Sequence, residues 1–130
     1  MPNARQQKDL ATRLSELNFL QSQLQQDIKA IELEGEIAPS GCWIVRYQAK
    51  GKKGGRYWYY KWMSHNSIFI TKKGNPSRHQ YLGKAGSAAY LKAVEALSRR
   101  GRIEALERAM STVSMGLSDL VEEASSFNKG

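Results

Sequence analysis

The stretch from Ile37 to Val94 contains no aspartate and no glutamate. All 12 acids of the 130-residue chain lie outside it, while the stretch holds 11 of the 20 lysines and arginines and 10 of the 12 aromatic side chains. Cations crowded in this way repel one another unless an anion pairs with them. The segment therefore points to an outside polyanion, and Lys and Arg set among aromatics suit a phosphate backbone with nearby bases. The net charge of +8 and the pI of about 9.7 point the same way.

Other absences narrow the class. Cys42 is the only cysteine, which excludes an internal disulfide and a cysteine-built zinc site within one chain. Neither a metal nor a cofactor is expected. No apolar run approaches the roughly 18 residues that a membrane-spanning helix needs. The amino-terminal residues lead into a Gln-rich amphipathic stretch and not into an apolar signal core, so a cytoplasmic protein is expected.

The parts of a catalytic site are missing as well. A nucleophile needs an activating base held by a third group. Cys42, His65 and His79 are the candidate parts, but the segment around them has no carboxylate to orient a histidine. Glu122 and Glu123 sit side by side on what reads as a solvated helix face. The glycine-rich Gly51-Lys52-Lys53-Gly54-Gly55 lacks the spacing of a nucleotide-binding loop and is not followed by a helix. The expectation is a protein that is not an enzyme.

What is present divides into three parts: residues 1–36, 37–100 and 101–130. Residues 5–34 read as a helix in which Leu10, Leu14, Leu17, Gln21, Leu24, Ile28 and Ile31 fall at heptad spacing, with Gln21 the one polar member of the seam. Either this stripe joins two chains as a coiled coil or it packs on the protein's own body. Gly35 ends the helix and Pro39-Ser40-Gly41 is a linker. A helix over 87–100, capped by Ser87 and stopping near Gly101, is followed by a second heptad helix carrying Ile103, Leu106, Met110, Val113, Leu117 and Leu120. A frayed tail begins at Ser125. The candidate oligomerisation residues are Leu10, Leu14, Leu17, Leu24, Ile28, Ile31, Leu106, Met110, Val113 and Leu117, and a homodimer is expected.

Between the helices, strands are predicted over 42–49, 56–63, 68–71 and 78–83, separated by the basic turns 50–55 and 72–77. The expected fold is α+β: a small antiparallel sheet of three or four strands backed by a helix and flanked by heptad helices. Alternation sorts the side chains. Trp43, Val45, Tyr47, Trp58, Tyr60, Trp62, His79 and Tyr81 form the expected core face. Arg46, Gln48, Tyr57, Tyr59, Lys61, Arg78 and Gln80 form the opposite, cationic face.

The reading that follows is a DNA-binding protein, a dimeric regulator of transcription or of a mobile element, that docks this face on duplex DNA. The nucleic-acid-binding set is Arg46, Gln48, Lys50, Lys52, Lys53, Arg56, Tyr57, Tyr59, Lys61, Lys72, Lys73, Arg78, Gln80 and Lys84. The turn lysines would hold phosphates, and Arg46, Gln48, Lys61, Arg78 and Gln80 would reach base edges. The alternatives are RNA or single-stranded nucleic acid held by the aromatics, and an adaptor whose helical arms grip a partner protein.

Gly41-Cys42-Trp43-Ile44-Val45-Arg46-Tyr47, Lys50-Gly51-Lys52 and Tyr81-Leu82-Gly83-Lys84, in that order, resemble the small arm-binding domains at the amino termini of phage-type tyrosine recombinases. The stretch from Gly55 to Tyr60, with Tyr81-Leu82-Gly83, is also similar to small bacterial proteins found near mobile elements. The resemblance implies a three-stranded sheet, backed by one helix, lying in the DNA major groove. It would put Arg46, Gln48, Tyr57, Tyr59, Lys61, Arg78 and Gln80 on the reading face. It does not extend to the heptad helices, and with no recombinase catalytic domain following, it implies DNA binding alone.

Overall fold

The structure, a computed structural model, describes residues 3–127. Its elements are α1 (Ala4–Glu34), β1 (Cys42–Lys50), β2 (Arg56–Ser64), β3 (Phe69–Ile70), β4 (Pro76–Ser77), β5 (His79–Gly83) and α2 (Ala88–Phe127). The fold is α+β, two long helices flanking a small antiparallel sheet. It divides into a helical unit, α1 with residues 102–127, and a sheet unit, Gly35–Gly101.

In the helical unit, Asn3 opens α1. Its Oδ1 accepts from the Gln6 N–H at 2.8 Å, and Gln6 Oε1 accepts from the Asn3 N–H at 3.0 Å, a reciprocal cap. The α1 seam meets residues 102–127 antiparallel. Arg13 pairs with Glu123 toward one end, and Arg102 donates to both Glu34 oxygens at 2.8 and 3.1 Å at the other. Continuing this register by heptads sets Leu14 against Leu120, Leu17 against Leu117, Gln21 against Val113, Leu24 against Met110, Ile28 against Leu106 and Ile31 against Ile103. The candidate oligomerisation residues therefore meet one another within one chain, where most are only partly covered: Leu14 is 41% exposed. A tethered seam meets its partner at an effective concentration of millimolar order, far above that of a second copy in dilute solution. Gln21, facing Val113 in this register, has its Oε1 buried with no hydrogen-bond partner.

In the sheet unit, β1, β2 and β5 form one antiparallel sheet with β2 in the centre, and β3 pairs with β4. β4 falls within what the sequence read as a turn. Small alanines on α2 let the helix approach one sheet face closely. Cys42, Trp62, Leu82 and Phe69 pack there against Ala93, Ala96 and Ala38, with Ile44, Tyr60 and Leu97 at the margin. Tyr60 meets Tyr90 edge to face at 4.8 Å. Ser87 caps α2, its Oγ accepting from the Tyr90 N–H at 3.3 Å.

Helix α2 does not stop at Gly101. It runs unbroken from Ala88 to Phe127, and Gly101 is not among the residues with positive φ. A glycine inside a helix costs about 1 kcal/mol against alanine. That is less than giving up the hydrogen bonds of a continuous helix whose two halves are both packed. The tail expected to fray from Ser125 is helical as far as Phe127, and its last three residues lie outside the described residues. Arg99 and Arg100, just before Gly101, fasten the linker that precedes β1. Arg99 donates to the Glu36 carbonyl at 2.9 Å, and Arg100 donates to the carbonyls of Pro39 and, at 2.8 Å, Cys42.

Candidate nucleic-acid interface

The hairpin tip between β1 and β2 sets the face of every β1 residue. Gly51 donates to the Gly55 carbonyl at 2.6 Å, Gly54 donates to the Gly51 carbonyl at 3.0 Å, and Gly54 sits at φ +85°. This is a tight turn closed by a left-handed glycine, and it pairs Lys50 with Arg56. From there Gln48 lies opposite Trp58, Arg46 opposite Tyr60 and Ile44 opposite Trp62; Tyr47 lies opposite Tyr59 and Val45 opposite Lys61. On β5, Gln80 pairs with Trp62, and Tyr81 with Lys61.

The register corrects the expected faces. Trp43, Val45, Tyr47, His79 and Tyr81 do not join the core; they share the open face with Tyr57, Tyr59, Lys61 and Met63. Arg46, Gln48 and Gln80 leave that face and stand on the helix-backed side with Trp58, Tyr60 and Trp62. Burial explains why this is tolerated. Only the root of the hairpin is packed, and both strands become exposed toward the tip, so a polar side chain beyond Ile44 is not buried on either side. Arg46 covers Trp58 there, its guanidinium carbon 4.0 Å from the ring centroid, a contact worth about 0.5–1 kcal/mol at an exposed site.

The open face is an aromatic band with cations on it. Tyr47 and Tyr59 have centroids 6.0 Å apart, and Tyr59 and Tyr81 6.1 Å apart. Lys61 Nζ lies 4.9 Å from the Tyr47 centroid, and Lys84 Nζ 4.4 Å from that of Tyr57. Burial first, then the neighbouring Tyr81 and Tyr59 hydroxyls, push the Tyr47 hydroxyl up, so it stays neutral and leaves the face's positive charge undiminished. At the root of the face, Trp43 packs on His65 at 4.8 Å, and His79 Nδ1 lies 2.8 Å from Met63 Sδ.

The second basic turn repeats the first. Thr71 donates to the Asn75 carbonyl at 2.8 Å and Gly74 to the Thr71 carbonyl at 2.9 Å, with Gly74 at φ +84°. Each tip therefore holds a Lys-Lys-Gly turn closed by the same two hydrogen bonds, with Lys52 and Lys53 exposed on one and Lys72 and Lys73 on the other. Arg78 lies at the break before β5, where its carbonyl accepts from the Ser64 N–H at 2.9 Å. The predicted set thus separates into two tips (Lys50, Lys52, Lys53 and Arg56; Lys72 and Lys73), an open-face group (Tyr57, Tyr59, Lys61 and Lys84) and a helix-side group (Arg46, Gln48 and Gln80). Tyr47 and Tyr81 belong to the open-face group and were missed.

Ion pairs among the described residues include Arg13 with Asp9 and Glu123, Arg99 with Glu95, and Arg102 with Glu34; none of these uses a cation from the acid-free stretch. Among the described residues there is no cluster of three or more His, Cys, Asp or Glu fit to hold a metal, and no helix is long and apolar enough to cross a membrane. No family model matches the chain, and no curated protein or solved structure does so either.

Proposed function

We propose that the chain is a non-enzymatic DNA-binding protein that holds the phosphate backbone of duplex DNA with its two lysine tips and its open sheet face. The observation that carries this reading is a set of cations built into ordered turns with no acid partner among the described residues. Like charges directly opposite one another destabilise a sheet. Yet Lys50 faces Arg56 at the end of the hairpin, with Lys52 and Lys53 beyond them. A phosphate backbone relieves that repulsion, and counterion release supplies the affinity. With Arg46, Gln48 and Gln80 on the helix side, the reading rests on backbone contacts and no longer on those three as base readers.

The resemblance of the β region to arm-binding domains supports the same reading and suggests a regulator that occupies a site on DNA. The proposal is argued for a single copy and does not depend on the expected homodimer. A second reading, an adaptor gripping a partner protein, is favoured by Phe19, Leu33, Met115 and Val121, which stand 59–88% exposed outside the seam. The deciding experiment is fluorescence anisotropy of the purified protein with labelled random duplex DNA at low and moderate salt. Binding that weakens steeply with salt supports the proposal. No binding at low salt overturns it and moves the search to protein partners of the helical unit.

A further inference from the structure

We infer that the open face also holds unpaired bases, with the tyrosines as a stacking platform for a single strand of nucleic acid. The inference rests on the nucleic-acid reading above and adds the form of ligand that this face recognises. Three observations carry it. The first is what the face lacks: apart from Lys61 and Lys84, both resting on tyrosine rings, none of its described residues is a long polar side chain of the kind that reads base edges in a duplex groove. What the face offers a base is a ring, and a ring is reached only by a base that has left its partner.

The second is spacing. Tyr47, Tyr59 and Tyr81 cross the three strands at 6.0 and 6.1 Å between centroids. A stacked strand advances only about 3.4 Å per nucleotide. Bases seated on successive rings cannot also stay stacked on one another, so the platform suits a splayed strand with one base per ring. The third is the placement of charge. Lys61 and Lys84 rest on the faces of Tyr47 and Tyr57, at 4.9 and 4.4 Å. An incoming base takes the ring face and releases the ammonium to the adjoining phosphate, so stacking and charge pairing are gained together. Tyr57 and Tyr81 are the more accessible rings of the face, 43% and 63% exposed, whereas Tyr47 and Tyr59 are half-buried. A purely protein-binding aromatic patch has no need of lysines seated on two of its rings, Tyr47 and Tyr57.

The test compares an oligothymidylate of about 12 nucleotides, within the lengths that small sheet domains hold, with the same strand annealed to its complement. Binding to the full chain is read by anisotropy for wild type, Tyr57→Leu, Tyr81→Leu and Tyr81→Phe. The leucine variants are expected to weaken single-strand binding at least about fivefold, the low end for one aromatic–base stack. They should weaken duplex binding clearly less than single-strand binding, because the two lysine tips still hold the duplex backbone, and Tyr81→Phe should bind as wild type. Because both side chains are exposed, far-UV circular dichroism of each variant should match wild type. Leucine variants that bind the strand like wild type, or that lose strand and duplex equally, overturn the inference while the lysine-tip reading stands. Wild-type protein that binds neither ligand overturns both.

Discussion

Replacing Lys52, Lys53, Lys72 and Lys73 together by alanine isolates the contribution of the two hairpin tips. All four side chains are exposed, and none takes part in an ion pair among the described residues. The turns are held by backbone hydrogen bonds and by glycines at φ +85° and +84°, so the fold should not change. Each phosphate neutralised by a lysine adds about 0.9 to the slope of log affinity against log salt. Four contacts therefore account for up to about 3.6 of the wild-type slope on the same rule. Between roughly 50 and 200 mM salt, a fourfold rise, wild type should lose up to about 150-fold more affinity for duplex DNA than the quadruple variant. Anisotropy at several salt concentrations reads both slopes, with circular dichroism and melting temperature confirming that the variant is folded. A difference in slope below about 1 would mean that the tips together neutralise about one phosphate, and the proposal that they hold the backbone would fail.

Gln21→Leu should stabilise the protein by about 1–3 kcal/mol in urea unfolding, because it removes a buried, unpartnered oxygen facing Val113; a loss of stability would mean that Oε1 is paired in solution. Gly101→Ala should stabilise by about 1 kcal/mol, since Gly101 lies inside a continuous helix with open space where a Cβ would go. The opposite sign is expected of a left-handed helix stop, so a destabilised variant would show that α2 breaks there. Cys42, 2% exposed, has its thiol pushed up by burial against the opposing pull of Arg100. The native protein should therefore resist aromatic disulfide reagents at pH 8 and react fully only after unfolding; rapid native labelling would contradict the packed core.

The helices and strands were legible because their signals are local. Heptad spacing marked α1 and the second half of α2, and aromatic runs bounded by glycines marked β1 and β2 to within a residue. Three features were harder to read, each for a stated reason. Gly101 looks like a stop by residue type, but a stop also needs the left-handed backbone, and packing on both sides of Gly101 favours continuing the helix. Whether the seams close within or between chains depends on a long connection that spacing does not describe. The two-residue strand β4 is too short for alternation to mark it.

The faces of β1 were misread because the sequence argument grouped the largest side chains across strands without fixing the turn between them. A one-residue change of register exchanges every side chain between the two faces. The information was present in Gly51-Lys52-Lys53-Gly54-Gly55. Taken as a turn closed by a left-handed Gly54, it pairs Lys50 with Arg56, and counting inward from there sets Tyr47 beside Tyr59 and Arg46 beside Tyr60. The same turn that carries two of the candidate phosphate-binding lysines therefore also determines which side chains the open face presents. A deletion within it would shift the register, bring Arg46 and Gln48 to the open face in place of Tyr47, and break the tyrosine band while leaving the composition of the surface almost unchanged. If single-strand binding follows the register in this way, the band is the cause of it; if binding follows only the number of lysines, charge alone explains it.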